Sequence, residues 1–67
     1  MKNKVRELRK NQKLTQDELA ELIGISRQAI NAIEKEKFDP SLPTAFKLSE
    51  LFKISIEELF IFKSLYY

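Results

Sequence analysis

Residues 14–34 read LTQDELAELIGISRQAINAIE, two short apolar-periodic segments on either side of Gly24, the only glycine in the chain. In the first segment Leu19, Leu22 and Ile23 share one helical face with Ala20 at its edge, and Asp17 and Glu21 point outward. In the second, Ile30 and Ile33 point inward, Gln28, Asn31, Ala32 and Lys35 point out, and Arg27 stands near the boundary. Two helices with different outward faces, one acidic and one amide-rich, are therefore expected to meet at a sharp corner. Gly24 suits that corner because a residue without a β-carbon turns freely and lets two backbones approach closely. Small Ala20 and Ala29 suggest close packing around it. On hydrophobic pattern alone, an ordinary helix hairpin in a small bundle fits as well.

The boundaries of these segments carry capping signals that recur along the chain. Thr15 is followed three positions later by Glu18, the spacing of a capping box, and Leu14 and Leu19 fit the accompanying hydrophobic staple. Ser26 caps the next helix with Ile25 and Ile30 as staple partners, although Ala29 cannot complete a box. Ser55 and Glu58 repeat the box, with Ile54 packing on Leu59. Toward the amino terminus, residues 3–12 place Val5, Leu8 and Gln12 on one side and Arg6 and Lys10 on another. Residues 38–52, FDPSLPTAFKLSELF, read as a turn and a helix capped by Ser41, with Pro43 in the first turn where a missing N–H costs little. Leu42, Ala45, Phe46, Leu48, Ser49 and Phe52 define a broad face there, with Leu51 at its margin, expected to pack on several neighbours. The expected elements are helices over 3–12, 16–23, 27–35, 42–52 and 56–61, an all-α, compact five-helix domain.

Sixty-seven residues make one domain, which buries only roughly 60% of the surface of its unfolded chain. Hydrophobic residues at 43% against 33% charged indicate a folded protein, with five phenylalanines as large pieces of core. Without cysteine or histidine, disulfides, thiolate or imidazole metal sites and a histidine base are all excluded, so neither a metal, a cofactor nor an enzymatic activity is expected. No apolar run approaches the ~20 residues that span a bilayer and no signal peptide is evident, which leads us to expect a cytoplasmic protein without a membrane partner. The net charge of +2 decides little, but its distribution is informative. Residues 1–13 carry Lys2, Lys4, Arg6, Arg9, Lys10 and Lys13 against Glu7, whereas residues 14–34 carry Arg27 against Asp17, Glu18, Glu21 and Glu34.

Taken together, LTQDELAELIGISRQAINAIEKEKFDPSL and the later FKISIEELF resemble the phage-repressor and Cro-like helix-turn-helix family of small bacterial and phage transcription regulators, over roughly residues 5–60. The resemblance implies a second helix that crosses the DNA backbone and a third that enters the major groove of a double-stranded operator. It assigns base reading to Arg27, Gln28, Asn31 and Ala32. The chemistry agrees: arginine donates twice to guanine, asparagine or glutamine pairs with adenine, and alanine touches the thymine methyl. At the helix edge, Arg27 is equally suited to gripping phosphate. The resemblance also implies that Gln16 holds phosphate through its side chain and the amide at the helix start, in keeping with the partial positive field there, although a solvated first-turn glutamine fits the same position. Lys35 and Lys37 fall where the family often contacts phosphate, and Lys10 and Lys13 extend the same basic track. Arg9 and Glu34 match a family ion pair joining the first and third helices.

Three positions where the family often carries glycine hold Lys13, Glu36 and Lys53 here. Either these turns bear the strain of a left-handed cap, of order 1 kcal/mol, or they adopt other backbone angles. Glu36 also sets a carboxylate beside the expected phosphate track. At the carboxyl end, residues 61–67 form an aromatic tail after a DNA-binding domain over 1–60. Phe60, and with it Phe62, is expected to complete the monomer core, and Phe60, Phe62, Leu65, Tyr66 and Tyr67 are the candidate residues of a homodimer interface. The tail is β-compatible, but its alternation is too weak to assign a strand. The expected function is a homodimeric repressor on a palindromic operator. The alternative is an antitoxin or interaction module that binds a protein partner through its carboxyl-terminal region.

Overall fold

Four helices begin on a hydroxyl residue whose side chain accepts from the backbone N–H three positions on: Thr15 before α2 (Gln16–Ile23), Ser26 before α3 (Arg27–Glu34), Ser41 before α4 (Leu42–Phe52) and Ser55 before α5 (Ile56–Leu59). The computed structural model describes residues 1–62. Thr15 and Ser55 close full capping boxes, their N–H groups donating to Glu18 Oε1 at 2.8 Å and Glu58 Oε1 at 3.4 Å. Each cap stabilises its helix by about 0.5–2 kcal/mol. The first helix, α1 (Val5–Asn11), is anchored differently: the N–H of Val5 donates to Asn3 Oδ1 at 3.1 Å, and Asn3 Nδ2 donates to the Ile33 carbonyl at 2.9 Å.

Both outer helices are shorter than their periodicity suggests, and for one reason. Lys2–Asn3 form a strand, β1, that pairs antiparallel with Phe60–Ile61, β2, in the register Lys2 with Ile61 and Asn3 with Phe60. The N–H of Lys4 continues the ladder by donating to the Leu59 carbonyl at 3.0 Å. This two-residue ribbon takes residue 3 out of the first helix and residues 60 and 61 out of the last. Otherwise the five helices pack as a single all-α unit. At α3, Lys35 is the C-cap and not a helical residue.

Val5, Leu19, Ile30, Ile33, Leu48 and Leu59 are fully buried, joined by Ala20, Ile23, Ala45, Phe52 and Phe60. Each large aliphatic side chain so buried contributes about 1.5–3 kcal/mol. The inward face of α2 is Leu19, Ala20 and Ile23, so Leu22 stands outside it, 60% exposed, against expectation. On α4 the inward stripe is Ala45, Leu48 and Phe52, and Leu42 and Phe46 are exposed, because the apolar face is wider than the neighbouring elements cover. On α1 the buried residue beside Val5 is Arg9, whereas Gln12 is exposed.

Gly24 closes α2 at φ 86°, its N–H donating to the Ala20 carbonyl at 2.8 Å. A β-carbon there would meet nothing within 4 Å, so it is the left-handed angle that favours glycine here and not a close helix approach. Lys13, Glu36 and Lys53 take the same region, with φ 58°, 62° and 57°. The three departures from the family's glycines thus keep the turn and carry its strain. Among the described residues, no helix is long and apolar enough to cross a membrane.

Candidate nucleic-acid interface

Helix α3 is fixed from beneath by Ile30 and Ile33, both 0% exposed, and its amide-rich face turns outward. Arg27 and Gln28 are exposed, Asn31 and Ala32 are half-buried one turn later, and Lys35 and Lys37 are exposed beyond them. The spacing reflects helix geometry: residues three and four apart lie one above another on a face.

Behind that face lies a chain of polar contacts. Arg9 Nε donates to Glu34 Oε2 at 2.7 Å and its Nη2 to Oε1 at 3.2 Å, a two-pronged pair joining α1 to the end of α3. Its remaining prong, Nη1, donates to the Leu14 carbonyl at 2.8 Å in the turn before α2. The side chains are 11% and 3% exposed, so removing one partner would strand a shielded charge, a loss of about 3–5 kcal/mol in such settings. The pair orients α3 against the first helix.

Gln16, at the start of α2, extends this chain. Its Nε2 donates to Glu34 Oε1 at 3.1 Å and to Asn31 Oδ1 at 3.3 Å. Both amide hydrogens are thereby engaged within the protein, on the side chain to which the resemblance gives a phosphate. What Gln16 still presents as a donor is its backbone N–H in the first turn of α2, where helix donors have no intrahelical acceptor. This network involves four residues from three helices. Two of them, Arg9 and Glu34, were linked by resemblance; the engagement of Gln16 with Asn31 has no signature in the sequence, since the residues are fifteen apart on different helices.

Arg6, Arg9, Gln16, Asn31, Glu34 and Lys35 line an open polar pocket of about 220 Å³ beside α3. Arg6 was missed as a candidate; its position one turn before Lys10 on α1 is the signal that could have found it. Lys10, Lys13 and Lys37 are exposed but do not line this pocket. Arg27 Nε lies 4.0 Å from Asp17 Oδ1, with both side chains largely exposed. An exposed pair of this kind is worth about 0–1 kcal/mol and yields readily to another anion. Glu18, fully exposed on the same helix, has its carboxyl held below the usual glutamate range, first by the backbone N–H of Thr15 and then by the Thr15 hydroxyl.

Several large apolar side chains are exposed elsewhere, on α4 and at and just after β2. Leu42, Phe46, Ile61 and Phe62 are 65%, 50%, 41% and 72% exposed. Phe62 therefore lies outside the core. Phe60 is 7% exposed and belongs to it, so its ring offers little surface to a second copy. Leu65, Tyr66 and Tyr67 lie outside the described residues.

Comparison with known proteins agrees with this geometry. A helix-turn-helix family model matches residues 5–59. The chain is 51% identical over 63 residues to an uncharacterized HTH-type transcriptional regulator of Methanocaldococcus jannaschii, covering 94% of this chain and 96% of that one. It is 44% identical over 62 residues to another from Archaeoglobus fulgidus, covering 92% and 89%. Among solved structures it resembles the restriction-modification controller protein C.AhdI from Aeromonas hydrophila, with a TM-score of 0.75 and 35% identity over 85% of this chain and 86% of that one. With a buried pair binding its first helix to its third, and an amide-bearing third helix facing outward, the chain belongs to the Cro/C1-type helix-turn-helix family of transcriptional regulators.

Proposed function

We propose that this protein binds a specific double-stranded DNA operator as a homodimer and represses transcription from it. The observation that carries the reading is the outward row of Arg27, Gln28 and Asn31 on a helix whose opposite side is locked by Ile30 and Ile33. A rigid helix presenting short polar groups suits the major groove, where hydrogen-bonding edges differ for every base pair. Ala32 adds a methyl contact to the same row. Arg6, Lys10, Lys13, Lys35 and Lys37 supply phosphate contacts around it, with the backbone N–H of Gln16 at the start of α2. The working unit is residues 1–60, with 61–67 extending the dimer surface and the whole acting in the cytoplasm. Two copies related by a twofold axis would set their α3 helices about 34 Å apart, one turn of DNA. Bound there, the dimer obstructs polymerase.

Selection of bound duplexes from a random library at several salt concentrations tests this. The expected product is an inverted repeat with half-site centres roughly 10 base pairs apart, and replacing any one of the lysines lowers the salt slope by about 1 per copy. Gln28→Ala would weaken binding by about 1–3 kcal/mol per half-site and relax one position. A pool that stays random at low salt overturns the reading.

The exposed Leu42 and Phe46 support one second reading, a partner protein seated on α4, as for an antitoxin. A stable heterocomplex purified from native cells, with no self-association of the isolated chain, would favour it.

A further inference from the structure

The contacts behind α3 run in one chemical direction. Arg9 is a donor only, and it occupies Glu34 through Nε and Nη2. The Glu34 carboxylate is an acceptor only, so the Gln16 atom 3.1 Å from Oε1 is the amide nitrogen and not the carbonyl oxygen. That same nitrogen reaches Asn31 at 3.3 Å and requires an acceptor there, which fixes Oδ1 of Asn31 toward Gln16. The Asn31 Nδ2 then faces away, and among the described residues it makes no hydrogen bond. A positive charge on the first helix thus sets which end of the Asn31 amide is held within the protein and which is left without a protein partner, through two intermediates.

Resting on the DNA-binding reading above, we infer that Gln16 is a specificity-determining positioning residue that presents Asn31 to the groove as a hydrogen-bond donor. An unconstrained asparagine pairs with adenine by donating to N7 and accepting from the N6 amino group. With one lone pair of Oδ1 held by Gln16 and the oxygen turned inward, the accepting half of that contact is lost. The two hydrogens of Nδ2 instead match the adjacent acceptors N7 and O6 of guanine. Asn31 therefore reads guanine while the relay is intact, and reverts to adenine when it is cut. Gln16 acts without touching a base.

The experiment compares sites selected from one random duplex library by the full chain and by its Asn31→Ala, Gln16→Ala and Gln16→Met variants. Gln16→Met keeps the side-chain length without an N–H, and thermal melts select the Gln16 variant that folds. Asn31→Ala identifies the base pair that Asn31 reads, as the one position per half-site whose preference disappears. At that position the unaltered chain is expected to favour guanine over adenine by roughly fivefold or more. The Gln16 variant is expected to lose that preference in favour of adenine there, and nowhere else in the site. Adenine at that position with the unaltered chain overturns the inference, as does Asn31→Ala leaving every position unchanged. A Gln16 variant that binds all sequences more weakly with the same pattern also overturns it, because Gln16 would then be a phosphate contact. In each of these outcomes the operator-binding function stands, whereas failure of the unaltered chain to enrich any sequence removes that function and the inference with it.

Discussion

Lys13, Glu36 and Lys53 hold backbone angles that residues with a β-carbon avoid, at a cost of about 1–2 kcal/mol each. Glu36 adds a charge to its strain. It is exposed immediately after the α3 C-cap, between Lys35 and Lys37, and a phosphate approaching either lysine meets its carboxylate. Two substitutions separate the effects. Glu36→Gln removes the charge and keeps the strain, so operator affinity should rise roughly two- to fivefold at low salt with the melting temperature unchanged. Glu36→Gly removes both, and should add a rise in melting temperature of about 4–8 °C for each kcal/mol released. Titration of labelled operator at two salt concentrations, alongside thermal melts, checks both; equal affinity for all three proteins would show that no phosphate passes Glu36. These residues were legible as departures from a glycine pattern, but whether the turn or the strain would give way was not, because a left-handed angle depends on how the chain packs after leaving the helix. The glycine at position 24 was legible for its angle alone; its open surroundings depend on tertiary packing.

At the scale of the element, the helix starts were the most readable feature, because a cap is a contact between residues three apart and needs nothing distant. The α2 box shows its chemistry in Glu18, whose carboxylate is stabilised by the backbone N–H and then the hydroxyl of Thr15. Its folded pKa lies below the unfolded one, so the charged form contributes stability above the usual glutamate range and that contribution is lost as pH falls through the depressed folded value. Glu18→Gln retains a box-forming side chain but cannot titrate. Denaturant unfolding of both proteins from about pH 7 to about pH 3 should therefore show the stability gap closing as the solution becomes acidic. A gap of constant size would mean that the charge on Glu18 adds nothing to the cap. The start of α1 and the end of α5 were not legible in this way. They are set by β1 pairing with β2 across nearly the whole chain, and a two-residue strand leaves no alternation to detect.

For the whole molecule, sequence periodicity identified which side chains are apolar but not how many of them the other helices reach, which is why Leu22, Leu42, Phe46 and Phe62 were placed inward or undecided and yet stand exposed. A domain this small has too little interior to cover them all. Phe62 comes directly after β2, and the pairing of β2 with β1 fixes where the exposed aromatic leaves the fold, whereas Phe60 two residues earlier is committed to the core. If Phe62 lies in a twofold interface it appears there twice, and burying each ring contributes about 1.5–3 kcal/mol. Phe62→Ser should then weaken the dimer by roughly a hundredfold or more, the factor that corresponds to about 3 kcal/mol. Sedimentation equilibrium measures that change, and binding to duplexes carrying one or two half-sites locates it. Affinity for a single half-site should stay the same, because Phe62 is not among the residues proposed to meet the DNA, while the advantage of the paired site should fall with the dimer. A variant that self-associates as tightly as the parent would move the interface to Leu42 and Phe46 on α4, where the same two measurements apply. A variant that loses affinity for the single half-site as well would place Phe62 at the DNA and not between the copies.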